Sequence, residues 1–362
     1  MAKRELQRLC IFVAMAAAAL ARPAWAGLSG SEIYTDGCAS CHGSDGRGAP
    51  QGTAITTALP DFTDCDATTG EATSNWEALV RNGGSFLGMS EQMPAFAEVL
   101  TDDEIRAVVQ FVRGFCGDPR YPSGDLNFPR PVFVEKAFPE DEAVLSYQYE
   151  SASRALTSSW EAALEKRVGP RGDFEASLPV TLVDSDNGAD TAGVGDIGLS
   201  YKHTLLADPE WRAIVSPRLA ITFPTGKTAE GIGAGTTIFN PQLLSGGALG
   251  PFVLQTEISA ELPVDSARAD RQMLYAFALQ YRVGPDKKSA VVGMEFQQTQ
   301  SLDSSAHADT VIGPEFYLPL SRRGHVALGV AAQLPIAGVR PYDWLFGSFL
   351  LWDFADGPFW SW

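Results

Sequence analysis

The sequence predicts two folded parts, a small all-α domain followed by an antiparallel transmembrane β-barrel of about 12 strands. Three observations predict this arrangement. Up to residue 118, apolar residues recur at helical spacing around a Cys-Ala-Ser-Cys-His string. A proline-rich stretch follows at residues 119–141. From residue 142 onward, apolar and polar residues alternate, which is typical of β-strands with two different faces.

The first residues of the chain have the features of a secretory signal peptide. A basic start precedes an apolar run at residues 11–20, and a small-x-small site ends at Ala26, so we expect residues 1–26 to be removed. Cys10 is lost with them, and the even number of cysteines that remains suits an oxidising compartment. No later apolar run of about 18 residues occurs, and we therefore predict no transmembrane helix.

The net charge excludes some partners and favours others. A formal charge of −17 at pH 7 argues against nucleic-acid binding and against a polybasic membrane contact. Residues 27–118 contribute strongly, with 14 Asp and Glu against 4 Arg and no Lys. A redox partner of this segment is expected to offer a basic docking face. Acidic surface that serves only solubility is the alternative.

Residues 38–42 have the spacing of a c-type haem attachment site. The two thiols lie about one helical turn apart, so Cys38 and Cys41 can each add to a vinyl group of the same haem. His42 follows directly, and its imidazole is the predicted proximal ligand of the iron. A zinc half-site would need further ligands nearby, whereas the other histidines lie far downstream, at positions 203, 307 and 325. A thioredoxin-like pair would not need the adjacent histidine, so the sequence predicts one covalently bound haem c.

A methionine stands ahead of the last helix predicted in this segment. That helix begins after Thr101, an N-cap followed by three acidic residues, and continues with apolar residues at helical spacing. Met93, which is followed by Pro94, can supply the sixth ligand of the iron, and His/Met ligation raises the haem potential relative to His/His ligation. Met89 is the rival ligand, with the alternative role of filling space beside the haem.

Together these motifs resemble a single-haem class I cytochrome c. The shared features are a helix ending in Cys-x-x-Cys-His-Gly, a Met-Pro-Ala-Phe loop and a closing helix that begins Thr-Asp-Asp-Glu-Ile. The resemblance implies electron transfer, with His42 and Met93 as axial ligands of one haem. It also implies that the Pro50 carbonyl orients His42, and that Tyr34 and Phe111 meet where the first and last helices cross.

Two cysteines remain once the haem thiols are assigned, Cys65 and Cys116. In an oxidising compartment we predict a disulfide between them, and the alternative is two buried free thiols. The predicted cytochrome domain covers residues 27–118. The five prolines of residues 119–141 predict an extended, semi-stiff linker to the barrel.

The remaining residues, 142–362, contain about 12 alternating stretches long enough to span a bilayer. They begin near residues 142, 158, 173, 194, 211, 236, 252, 271, 289, 311, 325 and 343. Unpaired backbone groups are costly in lipid, so such a sheet must close. Short turns alternate with longer polar loops, and in outer-membrane barrels the short turns face the periplasm. The region resembles those barrels in pattern, and more loosely a family of outer-membrane transporters and porin-like proteins.

A soluble β-sandwich or a periplasmic barrel is the alternative fold for this region. Such proteins also alternate, but they turn the apolar face inward. The last strand, from Trp344 to Phe354, argues against both, because large apolar residues occupy both of its faces. The chain then ends in Phe359-Trp360-Ser361-Trp362, an aromatic terminus like that of many outer-membrane barrels.

The first functional hypothesis is electron transfer by a haem c domain that the barrel anchors in the outer membrane of a Gram-negative bacterium. Lipid, a periplasmic redox partner and a small solute in the lumen are then the expected partners. The second hypothesis is a transporter or porin whose cytochrome domain gates it or senses redox state. A haem peroxidase would need an open sixth position, which Met93 argues against. The barrel carries no paired-carboxylate or Ser/His/Asp pattern, so we do not predict an enzyme.

The haem domain is expected in the periplasm. An even number of strands brings both ends of the barrel region to the face with short turns. A folded domain of about 90 residues has a radius of gyration near 12 Å. That is too bulky for a lumen partly filled by Arg218, Glu257 and Arg282. The longer loops, 184–193, 225–235 and 299–309, are expected outside the cell.

Overall fold

The structure is a computed structural model of the chain. It describes residues 27–50, 52–152, 155–185, 190–284, 289–303, 308–338 and 342–354. The predicted signal peptide, His307, the terminal aromatic residues and parts of the loops 184–193 and 299–309 lie outside the described residues. Within the described ranges, no helix has the length and apolar character needed to cross a membrane.

The N-terminal segment (residues 27–118) is helical where the apolar spacing predicts helices. Its helices are α1 Gly30–Ile33, α2 Ala39–His42, α3 Cys65–Thr69, α4 Thr73–Asn82 and α5 Asp102–Arg113. A π-helical turn, Tyr34–Cys38, joins α1 to α2, and a 3-10 turn spans Gly84–Leu87. The N-cap of α5 is the predicted one, because Thr101 and Glu104 exchange hydrogen bonds in a capping box.

The first and last helices of the N-terminal segment cross at close range. A Cβ at Gly30 would lie 2.1 Å from the Ala107 carbonyl oxygen, so only glycine permits the crossing. The rings of Tyr34 and Phe111 are 5.3 Å apart, as the sequence resemblance implied. Buried residues of α5 pack with Tyr34 and Phe62 to form the core of the segment.

Twelve antiparallel strands form the second part of the chain. They are β1 Glu142–Ala152, β2 Ala155–Val168, β3 Gly172–Ser185, β4 (broken into Thr191–Val194, Ile197–His203 and Leu206–Asp208), β5 Ala213–Phe223, β6 Ile238–Leu249, β7 Phe252–Pro263, β8 Gln272–Arg282, β9 Val291–Ser301, β10 Asp309–Pro319, β11 Val326–Ala337 and β12 Trp344–Asp353. Each strand pairs with its neighbours along the chain, and the pieces of β4 share one line between β3 and β5. β12 pairs with β1, which closes the barrel. The predicted barrel and strand number are confirmed, and every strand begins within three residues of its predicted start.

The barrel exposes apolar side chains and buries polar ones. On β7, Leu254 and Ile258 are 46% and 44% exposed, whereas Gln255 and Glu257 are 1% and 4% exposed. A soluble sandwich would show the opposite arrangement, since its apolar faces form the core. The soluble alternative is therefore wrong, and the apolar exterior is that of a barrel surrounded by lipid.

Part of the predicted linker lies inside the barrel. We call residues 126–141 the lumen segment. Phe128 and Phe138 are 2% and 1% exposed, and they pack in one cluster with Ile214 of β5 and Leu244 of β6. Proline content indicates stiffness and says nothing about location, so the sequence did not predict this burial.

The lumen segment also accounts for the two apolar faces of β12. Phe349 and Leu351 are buried and pack against Val132 of the lumen segment. On the opposite face of β12, Trp344 and Leu350 are 40% and 42% exposed. One face of the strand therefore contacts lipid, while the other contacts the chain inside the lumen.

Candidate haem site

The two thiols of the Cys-x-x-Cys-His motif lie at the junction of the π-helical turn and α2. Cys38 ends the turn, and Cys41 lies within α2. Both are free and half-buried. Burial, with Cys41 as a further cause, raises the pKa of the Cys38 thiol. Cys38 is therefore protonated at neutral pH, the form that can add sulfur and hydrogen across a vinyl group.

The His42 imidazole fits a haem ligand. It stacks on Phe62 with ring centroids 5.0 Å apart. Burial lowers the pKa of His42, which keeps the ring neutral, as metal ligation requires. Its Nδ1 atom is buried and has no hydrogen-bond partner among the described residues. A neutral, half-buried imidazole beside two free thiols matches the donor set that a c-type haem needs.

The hydrogen bond expected between Pro50 and His42 is not formed in the described structure. The Pro50 carbonyl instead accepts from the Thr53 amide at 3.3 Å. The loop after His42 turns back on itself at three glycines with positive φ, so it forms its own contacts. The hydroxyl of Tyr34 donates to the Gly43 carbonyl at 2.7 Å. Tyr34 thus holds the start of the loop after His42.

The loop that carries Met93 packs beside the thiol motif. The Gly84 amide donates to the Met93 carbonyl at 3.0 Å. A Cβ at Gly84 would lie 2.0 Å from the Ser90 carbonyl oxygen, so this close approach requires glycine. The ring of Phe96 lies 3.6 Å from the Cβ position of Gly37, the residue before Cys38. The Phe96 contact places the Met93 loop against the π-helical turn that ends at Cys38.

Phe62 and Phe115 were not predicted as site residues. The Phe115 ring comes within 3.0 Å of the Cβ position of Gly46, in the loop after His42. Its neighbour Cys116 forms a disulfide with Cys65, the pair predicted from the sequence. The disulfide therefore holds Phe115 against the loop. In the sequence, the only local indication that Phe115 belongs to the site is its position next to Cys116.

Replacing Cys65 and Cys116 together by serine is expected to destabilise the N-terminal segment. The disulfide spans 51 residues, and opening a loop of this size costs about 4 kcal/mol in the chain-entropy model. Denaturant unfolding followed by haem absorbance measures the effect. A Ser40→Ala variant, which leaves the disulfide intact, is the control. Equal unfolding midpoints for the double variant and the parent protein would contradict the prediction.

The N-terminal segment contacts the end of the barrel that has the short turns. Arg167, near the β2–β3 turn, donates to the Asp66 carbonyl at 3.3 Å. His325, in the β10–β11 turn, has its Nε2 atom 2.7 Å from Oε2 of Glu71. The paired residues are 101 and 254 positions apart in the chain, so sequence patterns gave no indication of either contact.

The N-terminal segment is similar to known cytochromes. Residues 26–112 match the family model described as cytochrome c oxidase, cbb3-type, subunit III. A curated relative, the cbb3-type cytochrome c oxidase subunit FixPc of Rhizobium leguminosarum bv. viciae, is 32% identical over 110 residues. This match covers 29% of the chain and 36% of the relative, so the chain spans about a third of the relative's length. The predicted cytochrome c domain is confirmed, and such a domain implies haem c and electron transfer.

The barrel is similar in fold to solved outer-membrane proteins. An outer-membrane channel from Pseudomonas putida F1 matches with a TM-score of 0.48 and 16% identity, covering 61% of this chain and 98% of that one. The NanC porin matches with a TM-score of 0.40 and 10% identity over 59% of this chain and 98% of that one. The KdgM porin matches with a TM-score of 0.40 and 8% identity over 58% of this chain and 99% of that one.

Proposed function

We propose that this chain transfers electrons through one haem c that is anchored by the barrel in the outer membrane. Cys38 and Cys41 would hold the haem covalently, and His42 and Met93 would be its axial ligands. When bound there, the haem supplies the one-electron chemistry. The observation that carries the proposal is the packing of the Met93 loop against the π-helical turn that ends at Cys38 and continues into α2 with Cys41 and His42.

The protein's own residues would orient the site and exclude water from it. Phe62 stacks on the His42 ring and fixes its plane. Tyr34 ties the first helix to the loop after His42, and burial raises the pKa of Tyr34 to about 12, so its hydroxyl stays a donor. A rigid, preorganised site favours electron transfer, because little has to move when the charge on the iron changes.

The contacts at the short-turn end support a periplasmic position of the haem domain. Arg167 and His325 both bind the N-terminal segment from this end of the barrel. In outer-membrane barrels the short turns face the periplasm. Electrons would therefore pass to or from a soluble periplasmic partner, whose basic surface would complement the acidic N-terminal segment.

Haem staining of fractionated membranes tests the proposed function. Outer-membrane proteins run on a denaturing gel, with and without boiling, should show one haem-staining band that shifts with heat, because closed barrels resist the detergent until boiled. A Cys38→Ser and Cys41→Ser variant should give the same shifting band without stain. Haem confined to a soluble fraction, or lost on denaturation of the parent protein, would reject the proposal.

Trypsin added to intact cells is expected to cut the 225–235 loop and spare the haem domain. Lys227 in this loop has a 64% exposed side chain and lies at the barrel end opposite the N-terminal segment. The products are detected by haem stain and by an antibody against the barrel. Permeabilised cells are the control, since trypsin should then also reach Arg106, whose side chain is 53% exposed. Loss of the haem domain from intact cells would overturn this topology.

A further inference from the structure

The lumen segment forms a loop that enters and leaves the barrel at its short-turn end. Near its start, Arg130 pairs with Glu142 at the first residue of β1. In its middle, Phe133 reaches Gly347, where a Cβ would lie 2.5 Å from its ring. At its end, the Glu140 amide donates to Asp173 at the start of β3, at 3.1 Å. The middle of the loop therefore lies deep in the barrel, and both ends lie at the periplasmic side of the proposed topology.

The lumen segment spans the width of the barrel. It touches side chains of nine strands: β1, β2, β3, β5, β6, β7, β8, β9 and β12. A chain that lined one wall would contact only a few adjacent strands. The cavity beside Arg130 and Lys136 has a volume of about 70 Å³, which is room for water molecules and little else.

Side chains of the strands bind the backbone of the lumen segment. Glu295 of β9 accepts from the amides of Val132 and Phe133, at 2.9 and 2.8 Å. Gln297 of the same strand donates to the Phe133 carbonyl at 2.6 Å. Gln255 of β7 donates to the Pro129 carbonyl at 2.7 Å. Irregular backbone at membrane depth needs such partners, so the strands are built to hold this segment.

Charges also hold the lumen segment in place. Arg130 Nη1 lies 2.5 Å from Glu142 and 2.8 Å from Glu165. Lys136 Nζ lies 3.6 Å from Glu142 and also pairs with Glu140. The side chains of Glu142 and Glu165 are each 1% exposed. Withdrawal of the segment would leave Glu142 without both of these cations, which is costly for a buried carboxylate.

We propose that the lumen segment is a resident plug, which closes the barrel to solutes while the N-terminal segment is docked on the short turns. The barrel then acts as an anchor for the cytochrome domain, and a passage exists only when the plug is displaced. This inference depends on the proposed function only for the orientation of the barrel. It does not require haem at Cys38.

Ion conductance of the purified, haem-loaded full chain in planar lipid bilayers tests the plug. The parent protein should remain closed at low voltage. Glu295→Ala combined with Gln297→Ala removes three hydrogen bonds to the plug, two of them to a carboxylate, and should raise the open fraction about tenfold or more. Glu150→Gln, on the lumen-facing side of β1, is the matched control and should stay closed. Steady conductance of the parent protein equal to that of the double variant would overturn the proposal.

A reversible lock gives a second test that does not depend on a destabilised variant. A Cβ at Gly347 would lie 2.9 Å from Cγ1 of Val132, a spacing that suits a disulfide between Val132→Cys and Gly347→Cys. The same Cβ would lie 2.5 Å from the Phe133 ring, so Phe133→Ala is added to make room for it. The bond should form in membranes, and in the Glu295→Ala, Gln297→Ala background it should suppress conductance until reductant is added. Absence of the cross-link by peptide mass mapping would show that the segment does not reside in the lumen. Conductance is read independently of haem, so failure of the plug and failure of the electron-transfer proposal are distinguishable.

Discussion

Met93→Ala is expected to leave the haem covalently bound while removing the thioether–iron absorption band and lowering the reduction potential. The thioether stabilises ferrous iron, so its loss favours the ferric state. The shift should be about 0.1 V or more, a fraction of the roughly 0.8 V range that axial ligands span. Potentiometric titration of the full chain in detergent, followed by absorbance, measures it.

Met89→Ala is the matched control for this substitution. Met89 is 42% exposed, and it lies four residues before Met93 in the same loop region. Its replacement should leave the band and the potential unchanged. If Met89→Ala alone removed the band, the assignment of the distal ligand to Met93 would be wrong.

Arg130→Ala is expected to destabilise the folded barrel by about 3–5 kcal/mol. The guanidinium lies between Glu142 and Glu165, and both carboxylates are buried. Without the cation, the negative charges of Glu142 and Glu165 lie close together in the lumen, and fewer positive charges remain to offset them. Denaturant unfolding in detergent, or the temperature at which the unboiled gel band shifts, measures the loss.

Two further arginine variants identify the cause of that loss. Arg268→Ala removes an arginine whose side chain is 55% exposed and which pairs with Asp265 at 3.3 Å. It should change stability by only about 0–1 kcal/mol. Arg130→Lys keeps the charge but loses the planar guanidinium, whose Nη1 donates to both carboxylates, so its stability should fall between those of the alanine variant and the parent protein. Equal stability of Arg130→Ala and the parent would contradict a structural role for this ion pair.

The strands could be predicted because the alternation of faces is a local property. Their alternate spacing along β7 predicts that Leu254 and Ile258 share one face and that Gln255 lies on the other. In the structure Leu254 and Ile258 are exposed and Gln255 is buried. The same holds for the haem motif, because Cys38, Cys41 and His42 are within about one helical turn of each other. Such features need no knowledge of the rest of the chain.

The surroundings of the haem motif were less predictable. The assignment of the orienting carbonyl to Pro50 was wrong, because the glycine loop after His42 has a conformation that residue order does not specify. Phe62 stacks on His42 from 20 positions away in the sequence. A ring contact of this kind depends on how the loops fold over the haem motif. The spacing of apolar residues in the sequence does not indicate that folding.

The sequence by itself determined the cytochrome motif, the helices around it, the twelve strands and the alternation of their faces, since these follow from spacing within a turn or a strand. Only the tertiary structure decided where residues 126–141 lie. An extended, proline-rich chain has few hydrogen bonds of its own, so its position depends on distant partners. Val132 and Phe133 find theirs in Glu295 and Gln297, more than 160 residues further along the chain, and only closure of the barrel brings these groups together.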